Sequence, residues 1–266
     1  MVELLSLFPL TISLIRREVV GRYRGSAFGL FWSLLNPLFM LAVYTFVFGF
    51  VMKSRWQMPD QQNAQHSTGE FAVILFCGLI VYQFFAEVVS LAPGLVVANA
   101  SYVKKVVFPI QILPAVSAGA ALFHAGVSLM VLLVFAYIVF GHIPFTVVLA
   151  PVMFAPLIVM VLGIAWALAS IGVYFRDMGQ IVAPLVTATL FLSPVFFQRT
   201  SLPIWLQPWL SLNPLAVPVE SFRNVVIFGV QPDWTSLGNY SVVAIAVAFI
   251  GYQFFQKTRK GFADVL

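Results

Sequence analysis

The sequence has little charge: Asp, Glu, Lys and Arg make up 9% of its 266 residues, where a soluble domain carries about 25%. That scarcity excludes a water-soluble globule. Cysteine occurs once, at Cys77, which excludes an internal disulfide and any cysteine-built metal cage. No Gly-x-x-x-x-Gly-Lys-[Ser/Thr] run is present, and Lys53-Ser54 and Lys257-Thr258 lack the preceding glycine. The chain therefore has no phosphate-cradling loop of that kind. No grouping of His, Asp and Glu marks a catalytic or metal centre. The opening Met1-Val-Glu-Leu-Leu5 carries an acid where a signal peptide needs bases, and no small-x-small site follows; the expectation is a retained N-terminus. What is abundant is apolar: 61% hydrophobic residues and a mean hydropathy of +1.00. Uncharged stretches such as Gly25 to Met52 exceed the roughly 20 residues one crossing needs, so the chain reads as a multi-pass membrane protein.

Charge spacing predicts the spans, because a charge left at mid-membrane costs about 2.5–3.5 kcal/mol. The first runs from Phe28 to Met52, and the polar run Lys53 to Glu70 reads as an exposed loop. A second runs from Phe71 to about Val97, interrupted by Glu87. Val106 to Phe175 holds no formal charge, and Gly141-His-Ile-Pro144 splits it in two. Pro109, Pro114 and Gly119 would kink or unwind the first of these. Arg176-Asp177 closes the fourth span, a fifth occupies Met178 to Gln198, and the last lies near Trp234 to Gln256. Thr200 to Val219 is uncharged too, but Pro203, Pro208, Pro214 and Pro218 argue against a spanning helix.

Six spans place ten basic residues inside (Arg16, Arg17, Arg22, Arg24, Lys104, Lys105, Arg176, Lys257, Arg259, Lys260) and four outside (Lys53, Arg55, Arg199, Arg223). Both termini are then cytoplasmic. The expected fold is an all-α membrane protein with three parts. Residues 1–27 form a cytoplasmic N-terminus with an amphipathic interfacial helix, 28–256 a six-span domain, and 257–266 a cytoplasmic tail. Within the middle part 93–109 is a cytoplasmic segment, and 199–233 is a re-entrant extracytoplasmic hairpin between spans five and six, of the kind tolerated where protein or water covers the backbone.

Ahead of the first span, Phe8, Ile12, Ile15, Val19 and Tyr23 recur at steps of four, three, four and four, one face of a helix. Arg17 and Arg24 project opposite, and Arg16 and Arg22 flank the stripe, where long basic side chains reach lipid head groups. The plainer alternative is a basic topology flank. Glu87 is the one acid inside a span. Counted from Phe71 it lies near the cytoplasmic boundary, within reach of Arg22 or Arg24, and it reads equally as an ion pair or a substrate contact. His124, also in a span, is most simply a histidine hydrogen-bonded between helices. On the outer side Asn213-Pro214 predicts a helix start with Asn as N-cap, and Glu220 and Arg223 are spaced to pair. An anionic sugar or pyrophosphate is the alternative partner for Arg223.

The run Arg17-Glu-Val-Val-Gly-Arg-Tyr-Arg-Gly-Ser-Ala-Phe-Gly-Leu-Phe-Trp-Ser-Leu-Leu-Asn-Pro-Leu38 resembles the membrane subunits of bacterial ABC exporters for O-antigen, teichoic acid and capsular polysaccharides. The likeness continues through Asn99 to Pro109, Tyr174-Phe-Arg-Asp177, Ser193-Pro194, Asn213-Pro214 with Arg223, and Lys260-Gly-Phe-Ala-Asp264. The resemblance implies a six-span permease that works as a homodimer with two copies of a separate ABC nucleotide-binding subunit. ATP and Mg would be bound by that partner, with no cofactor in this chain, and a lipid-linked glycan would be exported across the bacterial inner membrane. It also implies that 93–109 is the coupling segment, through Asn99, Tyr102, Lys104, Lys105 and Phe108, a helix-in-groove contact; otherwise Lys104-Lys105 only sets topology. Asn213, Glu220 and Arg223 fall at the family's extracytoplasmic gate. Arg16, Arg17, Arg22 and Arg24 would attract a lipid pyrophosphate.

Aromatics make up 15% of the chain. Trp32, Tyr44, Phe48, Tyr82, Phe85, Phe191 and Phe196, with Glu87, are candidates for a path along which sugar C–H faces slide on rings. The alternative is a set of lipid-facing rings and interfacial belts. Two rival functions are an ABC-2 exporter of a small hydrophobic drug or lipid, and a proton-coupled secondary transporter with Glu87 and His124 as relay. The second would carry inverted repeats, of which the sequence gives no sign. Neither a catalytic role nor a nucleic-acid partner is expected.

Overall fold

The computed structural model describes residues 2–51, 68–105, 108–210 and 212–266, and among them every regular element is helical. Helix α1 (Val2–Tyr23) runs unbroken for 22 residues. A turn at Gly25, φ +87°, leads through Gly29–Phe31 into α2 (Trp32–Tyr44), which continues as a π-helical stretch over Thr45–Val51. Helix α3 (Thr68–Leu91) begins three residues before the expected span, so Glu70 lies in a helix and not in the loop. The rest of that loop, with Met52, Lys53 and Arg55, lies outside the described residues.

The stretch expected to continue to Val97 does so, as part of Gly69–Ala98, with one tighter turn over Ala92–Gly94 at Pro93. Two short helices follow, α4 (Leu95–Ala98) and α5 (Ala100–Lys105). Helix α6 (Leu113–Phe140) is continuous. The expected kink is absent because Pro114 falls in its first turn, where the missing N–H has no partner to lose. Gly119 serves another purpose: a Cβ there would collide with Ile15 of α1. Gly141, φ +74°, ends α6 in the left-handed conformation, as the turn signal predicts.

Helices α7 (Ala150–Tyr174) and α8 (Met178–Leu192) follow, then α9 (Gln207–Leu210), α10 (Ala216–Arg223) with a π-helical extension over Asn224–Phe228, α11 (Trp234–Thr258) and α12 (Phe262–Val265). Among the described residues five stretches are long and apolar enough to cross a membrane: Gly29–Phe48, Gly69–Ala98, Ile110–Phe140, Phe145–Tyr174 and Trp234–Val265. The expected fifth span, Met178 to Gln198, is shorter. Its helix stops at Leu192 because Ser193 turns to extended backbone ahead of Pro194. At 1.5 Å per residue its 15 residues cover about 22 Å, against about 30 Å of hydrocarbon.

Helix α3 is apolar all round and is the centre of the core: Ala72 to Cys77 are wholly buried, packed by α6, α7, α8 and α10. Helices α7 and α11 pair in parallel, since successive contacts advance the same way along both. Met160 meets Tyr240 and Ala244, Trp166 meets Tyr252 at 5.1 Å between ring centroids, and Tyr174 meets Thr258. Gly163 and Gly251 let the two backbones touch, the small-residue packing that holds helices together in lipid.

Candidate coupling end, pathway and outer gate

At one end of the helix bundle α1 is docked by its side. Leu14 and Val19 are buried, with Leu10 and Ile15 half-buried against Ile112 and Val116 of the α6 approach. The predicted stripe thus divides: Ile15, Val19 and Tyr23 face the protein, while Phe8 and Ile12 are exposed. Leu14, outside the stripe, takes part because α1 meets α6 a quarter-turn from the face the periodicity picks out.

Glu87 has two partners. Arg22 Nη1 donates to its Oε1 at 2.6 Å, and His124 Nδ1 lies 3.0 Å from the same oxygen. The Tyr23 hydroxyl is 3.2 Å from His124 Nε2. With the proton on Nδ1, His124 donates to Glu87 and accepts from Tyr23, so the four side chains tie α1 to α3 and α6 in one network. Arg16 and Arg24 are exposed. The guanidinium of Arg17 sits 5.9 Å over the Tyr102 ring, a cation–π contact. Tyr102 stacks on Phe108 at 4.5 Å, and Asn99 Nδ2 donates to the Leu95 carbonyl at 2.9 Å, closing α4. Asn99, Tyr102 and Phe108 therefore share one compact segment that α1 touches through Arg17. Lys104 and Lys105 end α5; their side chains lie outside the described residues.

Of the aromatic candidates, the structure joins four into a ladder. Tyr44 and Phe48 lie 6.4 Å apart, Phe48 and Phe196 5.8 Å, and Phe196 stacks on Phe191 at 5.8 Å. Phe71 adds a rung beside Phe48. The ladder leads from the half-buried π-helical end of α2 to exposed Phe191 at the end of α8. Tyr82 is tied to α8 by a 3.3 Å hydrogen bond to the Val186 carbonyl. Phe85 is buried in the core and lines no surface of this chain; the rings of α3, Phe71, Phe76, Tyr82, Phe84 and Phe85, follow no spacing that marks which turns inward. Trp32 is exposed at the other end, edge-on to Phe28 at 5.7 Å.

At the opposite end Asn213 is not an N-cap, since α10 begins at Ala216. Its Oδ1 accepts from Leu215 N at 2.9 Å and from Ser193 Oγ at 3.2 Å, and its Nδ2 donates to the Leu192 carbonyl at 3.1 Å. Asn213 thus ties the hairpin to the broken end of α8. Arg223 is 3% exposed. Its guanidinium feels the Glu220 carboxylate electrostatically, as the spacing predicts, and also donates to the carbonyls of Ile74 (3.3 Å), Pro194 (3.0 Å) and Val195 (3.2 Å). Two of these carbonyls are freed where Pro194 breaks α8, and burial makes satisfying them valuable. Gly78, which a sequence reading passes over, makes room: a Cβ there would stand 2.7 Å from the Arg223 guanidinium. Asp233 caps α11, accepting from Thr235 N at 3.0 Å and Ser236 Oγ at 2.5 Å; the Ser236 hydrogen bonds hold its carboxyl below the usual range.

Among the described residues no group of His, Cys, Asp and Glu is arranged to hold a metal. The family model for ABC-2 type transporters matches residues 9–227, from α1 through the π-helical end of α10. The O-antigen export system permease protein RfbA of Myxococcus xanthus is 30% identical over 98% of this chain and 97% of its own length. A protein of the same name from Klebsiella pneumoniae is 25% identical over 98% and 96%. The polysialic acid transport protein KpsM of Escherichia coli is 26% identical over 90% and 89%. With the match covering the docked α1, the central α3 and α10 with its buried Arg223, this multi-pass chain belongs to the ABC-2 type transporter membrane family.

Proposed function

We propose that the chain is the permease subunit of an ATP-driven exporter that moves a lipid-linked polysaccharide of the O-antigen, teichoic acid or capsule type from the cytoplasm across the bacterial inner membrane. The observation that carries this reading is similarity along nearly the whole chain to permeases of O-antigen and polysialic acid export. The chain acts as a homodimer with two ABC nucleotide-binding subunits, which bind the ATP and Mg. Helix α8 with the residues after it supplies a sixth crossing. Support comes from the parallel pairing of α7 and α11, since the chain between them has to return to the side where α7 began. Both termini are then cytoplasmic, in line with the basic residues.

The path runs between two copies, along faces that carry the exposed rings of α2 and α8. Rings there offer many weak contacts, which suit a polymer that slides. ATP binding in the partner moves residues 93–109, and Arg17 on Tyr102 passes the movement to α1. The exposed Arg16 and Arg24, with Arg17 and Arg22, draw the lipid pyrophosphate from the inner leaflet. The test is K104E/K105E in cells that depend on this permease. Surface glycan should be lost and ATPase stimulation uncoupled while the dimer still assembles; unchanged glycan export would sink the coupling role.

A further inference from the structure

Three motifs that lie far apart in the sequence meet at the cytoplasmic end. The coupling segment starts against α7, where Gly172 faces the Pro93 carbonyl so closely that any Cβ would overlap it. Val96 of α4 is wholly buried with Ala169 and Val173 of α7, Phe255 of α11 and Phe262 of α12. Phe262 fills this junction. It is wholly buried, edge-on to Phe255 at 5.5 Å and 6.1 Å from Tyr174.

The tail is aimed there by its own contacts. Tyr174 Oη donates to the Thr258 carbonyl at 3.0 Å, and Gly261 passes the same hydroxyl so narrowly that a Cβ would stand 2.7 Å from it. Arg259 Nη1 donates to Gln111 Oε1 at 2.9 Å, and the Gln111 carbonyl accepts from Trp166 Nε1 at 2.9 Å. Helix α12 also lies against α5. The coupling segment is thus seated on the rigid α7–α11 pair and wedged from below by the chain's last residues.

We infer that the C-terminal tail is a brace for the coupling segment, with Phe262 as its positioning residue and Gly261 setting its path. The inference rests on the proposed coupling role of residues 93–109. A push on α5 then reaches α7 and α11 directly, because Phe262 leaves no void into which α4 could yield. Without it the segment gives way locally and the stroke is spent before reaching the spans.

The test uses the full permease with its ATPase, scored for co-purification of the two subunits, basal ATP hydrolysis and surface glycan. F262A should keep assembly and basal hydrolysis but lower export about tenfold, and F262L, which refills most of the volume, should restore most of it. G261A should also lower export, by pressing on the Tyr174 hydroxyl that aims the tail. Wild-type export in F262A overturns the brace, and so does a failure of F262L to recover what F262A loses. In the same assay K104E/K105E reports on the coupling reading itself: normal export there, beside a defect in F262A, would reject the coupling role and with it the brace.

Discussion

The two ends of the molecule hold their parts together by different means. At the end where α1 docks the ties are side chain to side chain: Arg22 on Glu87, with side chains 45% and 19% exposed, and Arg17 over Tyr102. At the other end Arg223 is sealed in and grips backbone carbonyls on α3 and at the broken end of α8. An ion pair with one open side chain exchanges partners at low cost where water reaches it. A buried guanidinium on carbonyls does not, because each orphaned acceptor retains its full desolvation penalty. The contrast sets an exchangeable tie at α1 against a fixed frame around Arg223.

The largest expected effect comes from breaking that frame. R223M leaves three carbonyls to find new partners at about 1–3 kcal/mol each. The purified protein's thermal unfolding midpoint should fall by on the order of 10 °C, by the same amount at low and high salt. A salt-dependent loss would erase the distinction between the two ends. E87Q should cost far less, about 1 kcal/mol or under for a partly exposed pair, and its effect should shrink as salt screens the pair in the wild type. A salt-independent drop as large as that of R223M would mean that α1 is as fixed as the hairpin.

The smallest effect concerns Asp233, which caps the start of α11. Its folded carboxyl titrates below the unfolded one, so its contribution is present at neutral pH and is lost as pH falls through the folded value, below about 4. Amide protection at Thr235 and Ser236 should fall over that range in the wild type. D233A should show low protection with no such step.

Much of this was legible in the sequence because charge is so sparse. A lone acid in an apolar run needs a cation, and Arg22 was already one of two candidates for Glu87. Span positions followed from the same argument. The length of α8 did not, since Ser193-Pro194-Val195 interrupts the helix without interrupting the apolar run. Arg223's partners were illegible for a different reason. Backbone carbonyls carry no residue signature, and that of Ile74 lies 149 positions away. Glu220, three residues away, is the one partner of Arg223 that spacing alone can suggest. Gly78, Gly172 and Gly261 matter through what touches them, which no local pattern encodes.

The seat of α1 has a consequence for synthesis. Arg22 meets His124, with which it shares Glu87, across 102 positions of chain, and Gly119 and Val116, against which α1 rests, are nearly as far away. At about 5–20 residues per second, the ribosome makes this helix on the order of 5–20 s before its berth exists. During that interval Leu14 and Val19 lack the neighbours that bury them in the finished protein. Phe8 and Ile12 stay exposed even after docking, so the late arrival of α6 shelters only one side of the helix.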